Sequence, residues 1–190
     1  MRHAIVLAAT LAAFAFSLAM IRDLVGAGSP WFGVMLMMCV LGTAAMARPI
    51  FLPAVPAPLH AIRAWERRPG VYRRLFVPTF GALLRRSPLR YLNTDVYLRG
   101  DAASAPAVIA QVEAAEAAHW LAGLVLLPYL VIAVQGHRWG TLLALAAVEA
   151  AANVYPILHL RWTRGRLDAV LGRRQQKGRP KPPGCVIRPA

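Results

Sequence analysis

The sequence predicts an all-α membrane protein with four transmembrane helices, and three observations predict it. First, 58% of the 190 residues are hydrophobic and only 16% are charged, against about 45–50% and about 25% in soluble domains. Second, four apolar runs have the length of a membrane span. Third, the net charge of +14 falls between those runs rather than within them, as in membrane proteins whose basic residues sit in loops. The length allows one domain. The hydrophobicity excludes disorder for most of the chain.

About 20 residues rising 1.5 Å each cross a hydrocarbon core about 30 Å thick. Residues 4–21 form the first such run, between Arg2 and Arg22. A secretory signal peptide would share its basic start, but its length and the Arg22-Asp23 boundary favour a retained helix. Residues 31–47 form the second run, between Pro30 and Arg48-Pro49. The third covers 117–135, and the fourth covers 141–160 and closes at Arg161.

Charge sets the expected orientation. Residues 48–117 carry ten Arg and five acids, and residues 161–190 carry seven Arg, two Lys and one Asp. The connectors 22–30 and 136–139 carry one Arg each. Positive loops stay cytoplasmic, so the central loop and both termini are expected on the cytoplasmic side of the cell membrane. Trp31, Trp120, Trp139 and Trp162 fall near span ends, where aromatic rings anchor at the interface.

The loop 48–116 is expected to lie on the membrane. Segments such as Leu59–Arg68, Tyr72–Val77 and Phe80–Arg86 mix apolar with basic residues, a pattern suited to the headgroup plane. Prolines and Pro69-Gly70 punctuate it. Attachment to anionic lipid explains this pattern without any activity. The Arg-, Lys-, Pro- and Gly-rich tail 173–190 is expected to be disordered. Cys39 lies in an apolar run and Cys185 in the tail, so no disulfide is expected.

Ionisable groups inside spans mark candidate sites. Glu113, Glu116 and His119 stand at i, i+3 and i+6 just before and at the start of the third span. Glu116 and His119 share a helix face, and a carboxylate beside an imidazole fixes its tautomer and raises its basicity, as a general base requires. Helix capping explains the same pair equally well. Glu149 lies mid-way along the fourth span with Asn153 one turn later; a glutamate at that depth costs about 2.5–3.5 kcal/mol and should face the bundle, as part of a site or as interhelical glue. His159, Arg161, Arg164 and Arg166 follow at the cytoplasmic end, a binding cluster or only a topology signal.

Several chemistries are excluded or disfavoured. There is no Gly-x-Ser-x-Gly elbow, no His-Glu-x-x-His, no second Glu-x-x-His for a di-iron bundle, and no phosphate-binding glycine motif. Neither a metal site nor a bound cofactor is expected. Nucleic acid is the least expected partner, because the basic residues alternate with membrane anchors. Direct group transfer by general-base catalysis remains.

The segment Glu113-Ala-Ala-Glu-Ala-Ala-His-Trp120 resembles the Ala-Glu-x-x-His-Trp element of the glycosyl-4,4'-diaponeurosporenoate acyltransferases, which complete staphyloxanthin-type carotenoid synthesis. Asn153-Val154-Tyr155-Pro156, followed by Arg161-Trp162-Thr163-Arg164-Gly165-Arg166-Leu167, is similar to that family's Asn-Val-Pro and arginine-rich stretches, with Tyr155 as an additional residue. Glu66-Arg67-Arg68-Pro69-Gly70-Val71-Tyr72 resembles its Glu-x-x-Gly-x-aromatic element, and Asn93-Thr94-Asp95 corresponds to another. The resemblance covers 65–167.

It implies O-acylation of a sugar hydroxyl on a glycosylated terpenoid or related glycolipid in the membrane. The co-substrate would be an acyl thioester, acyl-CoA or acyl carrier protein. The catalytic residues implied are His119 as base, Glu116 as its orienting group and Asn153 as oxyanion donor. Glu149, His159, Arg161, Arg164, Arg166, Trp120, Glu66 and Tyr72 would bind substrate, the arginines attracting donor phosphates. Two other functions compete: a non-catalytic adaptor that binds anionic lipid, and a lipid-modifying enzyme of another class.

Overall fold

The computed structural model describes residues 2–46, 56–68, 70–88, 90 and 105–178. Among the described residues the regular secondary structure is helical, without a strand. The helices run α1 (Arg2–Val25), α2 (Pro30–Met46), α3 (Ala57–His60), α4 (Val71–Arg74), α5 (Val77–Arg86), α6 (Ala105–Gln135), α7 (Trp139–Glu149) and α8 (Tyr155–Gly178), with a π turn at Ala150–Val154 joining the last two. Asn93-Thr94-Asp95, Cys185 and the tail beyond 178 lie outside the described residues.

Among the described residues three helical stretches are long and apolar enough to cross a membrane: one ending at Val25, Ala105–Gln135 and Trp139–Gly172. The second expected span is the 17-residue α2. The expected boundaries change in two places. α6 begins at Ala105 instead of residue 117, because the alanine-rich stretch before Glu113 favours helix; the loop is correspondingly shorter. At 1.5 Å per residue its 31 residues reach about 46 Å, more than a hydrocarbon core needs. The last helix continues to Gly178, past the expected start of a disordered tail at 173.

α2, α6 and α7 share a core of Met37, Ala122, Leu126 and Leu145. The N-terminal half of α6 and α8 share a second one, of Val108, Val112, Leu160 and Leu167. Around these cores the outer faces stay apolar, with Phe16, Leu124, Val131 and Leu143 exposed, as lipid-facing helices require. Trp31 and Trp139 are also exposed, while Trp120 turns inward.

Small residues let the helices approach closely. A Cβ at Gly123 would collide with the Glu149 carboxylate, and one at Gly81 with the His159 imidazole. The π turn absorbs one more residue than an α-turn. Tyr155, the additional residue of the sequence comparison, follows it directly, and Asn153 within it is fully buried. Single π turns of this kind recur at functional sites.

Candidate active site

Two features meet where α6 and α8 cross. The first is a buried charge network. Glu116 on α6 faces Arg161 and Arg164 on α8: Arg161 Nε lies 3.0 Å from Glu116 Oε1, and Arg164 Nη1 lies 3.3 Å from Oε2. Arg164 also reaches Glu113 at 3.3 Å. The Arg161 guanidinium donates from Nη1 to Glu66 at 2.9 Å, and from Nη2 to the Leu59 and Ala61 carbonyls at 2.8 Å each. Glu66 in turn accepts from Tyr72 Oη at 3.1 Å and from the Arg63 backbone N–H at 2.6 Å. The side chains of Glu66, Glu116, Arg161 and Arg164 are at most 7% exposed. Two carboxylates and two guanidiniums therefore balance, as burial requires. Burial, and next the Glu66 charge, push the Tyr72 phenol well above its ordinary value, which keeps it a proton donor.

This network fastens the stretch Leu59–Tyr72 to the ends of α6 and α8. Sequence proximity suggested that Glu116 orients His119; instead its two oxygens serve the arginines. Arg161 and Arg164 are likewise engaged with carboxylates rather than open to a ligand's phosphates. Glu66 and Tyr72 belong to this scaffold.

The second feature is a cavity of about 330 Å³ beside the network. His119, Trp120, Gly123, Glu149 and Arg161 form its inner wall, Arg63 and Trp65 cover it from the fastened segment, and Leu124, Leu127 and Val154 lie at its rim. Those three rim residues are exposed on the outer, apolar helix faces, so the cavity opens sideways onto the surface that hydrocarbon would cover.

His119 lies against the Asn153 side chain and the Ala152 backbone. Its Nδ1 is buried without a hydrogen bond, as is Asn153 Oδ1. Asn153 Nδ2 donates to Glu149 Oε2 at 2.7 Å and to Met37 Sδ at 3.0 Å. The order is thus carboxylate, amide, imidazole. The amide N–H groups are already engaged, so Asn153 in this conformation orients His119 and is not the expected oxyanion donor.

His159 is elsewhere. It packs beside Gly81, with ring contacts to Phe80 and Trp162 at centroid distances of 6.2 and 5.8 Å. It joins α5 to α8 and does not line the cavity. Arg166 is exposed and lies 5.0 Å over the Trp162 ring. Among the described residues no cluster of three or more His, Cys, Asp or Glu could hold a metal ion. Sequence reasoning missed Arg63, Trp65 and Gly123. Gly123 carried a signal, because it stands one turn after His119 on the same face.

Residues 56–173 match the family described as glycosyl-4,4'-diaponeurosporenoate acyltransferase. The chain belongs to this acyltransferase family. The match begins just before the fastened segment and ends within α8, so it takes in the network and the cavity together. Comparisons with curated proteins and with solved structures gave no match.

Proposed function

We propose that the protein is a membrane-embedded O-acyltransferase, moving a fatty acyl group from a thioester to a sugar hydroxyl of a glycosylated terpenoid or related glycolipid. The observation that carries the reading is His119: a buried imidazole nitrogen without a partner, on the wall of a cavity that opens sideways between apolar helix faces. A lipid-borne acceptor enters such a cavity from the bilayer, without passing through water. Four crossing helices, with both termini cytoplasmic, fit this reading; the 17 residues of α2 are at the short end of the usual span of about 17–25.

His119 takes the proton of the attacking hydroxyl. The alkoxide oxygen bonds to the acyl carbon, and the carbonyl oxygen becomes an oxyanion. Arg63, with no acceptor for its guanidinium among the described residues, covers the cavity and supplies donors to that oxygen. The intermediate then collapses, the C–S bond breaks, and the thiolate recovers the proton from His119. The products are an ester and a free thiol. Asn153, held by Glu149, keeps the imidazole in one orientation throughout.

The test is acyl transfer in membranes carrying the wild-type protein or His119→Ala, read by mass spectrometry of the lipid extract. The wild type adds the mass of one fatty acyl group to a glycolipid, and His119→Ala loses about 10²–10⁴-fold of the rate. Full transfer by His119→Ala refutes the assignment of the base, and a redox mass change refutes the reaction class.

A further inference from the structure

A second cleft, of about 530 Å³, opens on the surface of the fastened segment and is lined by Arg68, Tyr72, Arg73, Pro78, Thr79 and Trp162. Its electrostatics are opposite to those of the buried network. Arg68 and Arg73 are exposed, and their guanidiniums have no carboxylate partner among the described residues. Arg166, which lies over the Trp162 ring without lining the cleft, is a further exposed cation nearby. No acidic residue lines the cleft. A concave wall with uncompensated guanidiniums and aromatic faces attracts a polyanion carrying a flat group: guanidinium recognises phosphate oxygens in bidentate fashion, and the rings offer stacking surface.

The cleft also has a defined relation to the cavity. Tyr72 lines the cleft and donates to Glu66; Glu66 accepts from Arg161; Arg161 lines the cavity that holds His119. One hydrogen-bonded relay therefore links the walls of the two spaces. Because Arg161 and Arg164 are sequestered by carboxylates, phosphate recognition falls to the exposed arginines at the cleft end of that relay.

We propose that this cleft is an organic-phosphate site, with Arg68 and Arg73 as its anion ligands and Trp162 as its stacking face. Resting on the acyltransferase reading, it holds the phosphorylated end of the acyl donor while the thioester lies in the His119 cavity. The phosphate ester can come from a soluble thiol carrier or from a lipid headgroup, and the experiment separates the two.

The full-length protein is placed in nanodiscs of phosphatidylcholine and titrated with coenzyme A, followed by calorimetry. The wild type, Arg68→Ala/Arg73→Ala and the charge-matched control Arg74→Ala/Arg86→Ala are compared; neither control residue lines the cleft. Loss of charge-assisted contacts should weaken binding about tenfold or more in the cleft variant and much less in the control. That result supports the site with a soluble ligand. Failure of coenzyme A to bind, together with retention of phosphatidylglycerol that only the cleft variant loses, supports it with a lipid headgroup. Equal behaviour of the two double variants, or binding of neither probe, overturns the proposal. The titration uses neither an acyl group nor an acceptor, so it reads this site whether or not His119 is the base, and the failures of the two assignments are distinguished.

Discussion

Glu116→Gln is the sharpest perturbation of the buried network. It preserves shape and removes one of the two charges that balance Arg161 and Arg164, at positions where Glu116 and the arginines are at most 7% exposed. Removing one partner of a buried pair costs about 3–5 kcal/mol. Here the lower end applies, because Arg161 keeps Glu66 and two carbonyls and Arg164 keeps Glu113. Arg164→Met alone leaves Glu116 with Arg161 only. The double variant restores neutrality: Glu66 still faces Arg161, and the buried set again has one charge of each sign. Its loss should fall short of the sum of the single losses by about 1–3 kcal/mol, within the range measured for contacting pairs. The assay is equilibrium unfolding in mixed micelles followed by helicity, with all four proteins in the cycle. A Glu116→Gln loss within about 0.5 kcal/mol, typical of surface positions, or strict additivity in the double variant, would refute the reasoning.

Gly123→Leu should abolish acyl transfer while the protein stays helical, because a side chain there collides with the Glu149 carboxylate and displaces the partner of Asn153; unchanged transfer with a glycolipid acceptor would contradict this. Tyr72→Phe removes the 3.1 Å hydrogen bond to Glu66 and should cost about 0.5–1.5 kcal/mol in unfolding at neutral pH. The phenol's folded pKa is raised from its ordinary 10.0 by burial and by Glu66, so this contribution is fully present below pH 10 and declines only as the pH rises beyond it. A wild-type-minus-variant difference that shrinks between pH 7 and pH 9 would contradict that sign.

Hydropathy made the long apolar helices legible, because a run long and apolar enough to cross a membrane stands out from composition alone. The boundaries were less legible. Alanine is apolar enough for a span and also favours helix outside one, so composition alone did not register that α6 starts at Ala105. His119 and Glu149, which both line the cavity, stand out in the sequence because an ionisable group in a long apolar run has few reasons to be there. Their grouping was only partly found: Asn153 reaches His119 from a different helix, and the π turn that buries it has no pattern in hydropathy. His159 misled for the opposite reason. Its position beside the arginines suggested a ligand, whereas its neighbour across the interface is Gly81 on α5, a contact between residues far apart in sequence.

The arginines show how one pattern carries two meanings. Near a span end, Arg161, Arg164 and Arg166 read as a cytoplasmic signal, and any face of the helix satisfies that rule. Spacing separates them. Arg161 and Arg164 stand at i and i+3, on one face, and Arg166 is turned away from both. Glu113 and Glu116 have the same three-residue spacing on a helix packed beside α8. Two like-spaced pairs of opposite sign on neighbouring helices form a ladder, and the contacts follow it: Arg164 meets both Glu113 and Glu116, and Arg161 meets Glu116. Such a ladder fixes the axial register of α6 against α8. A shift by one turn, about 5.4 Å, would leave a charge buried without a partner, at a cost greater than the apolar contacts around it could offset. His119 and Asn153 lie one and two turns deeper along the same pair of helices, so the register set by the charges is what brings the imidazole and the amide together.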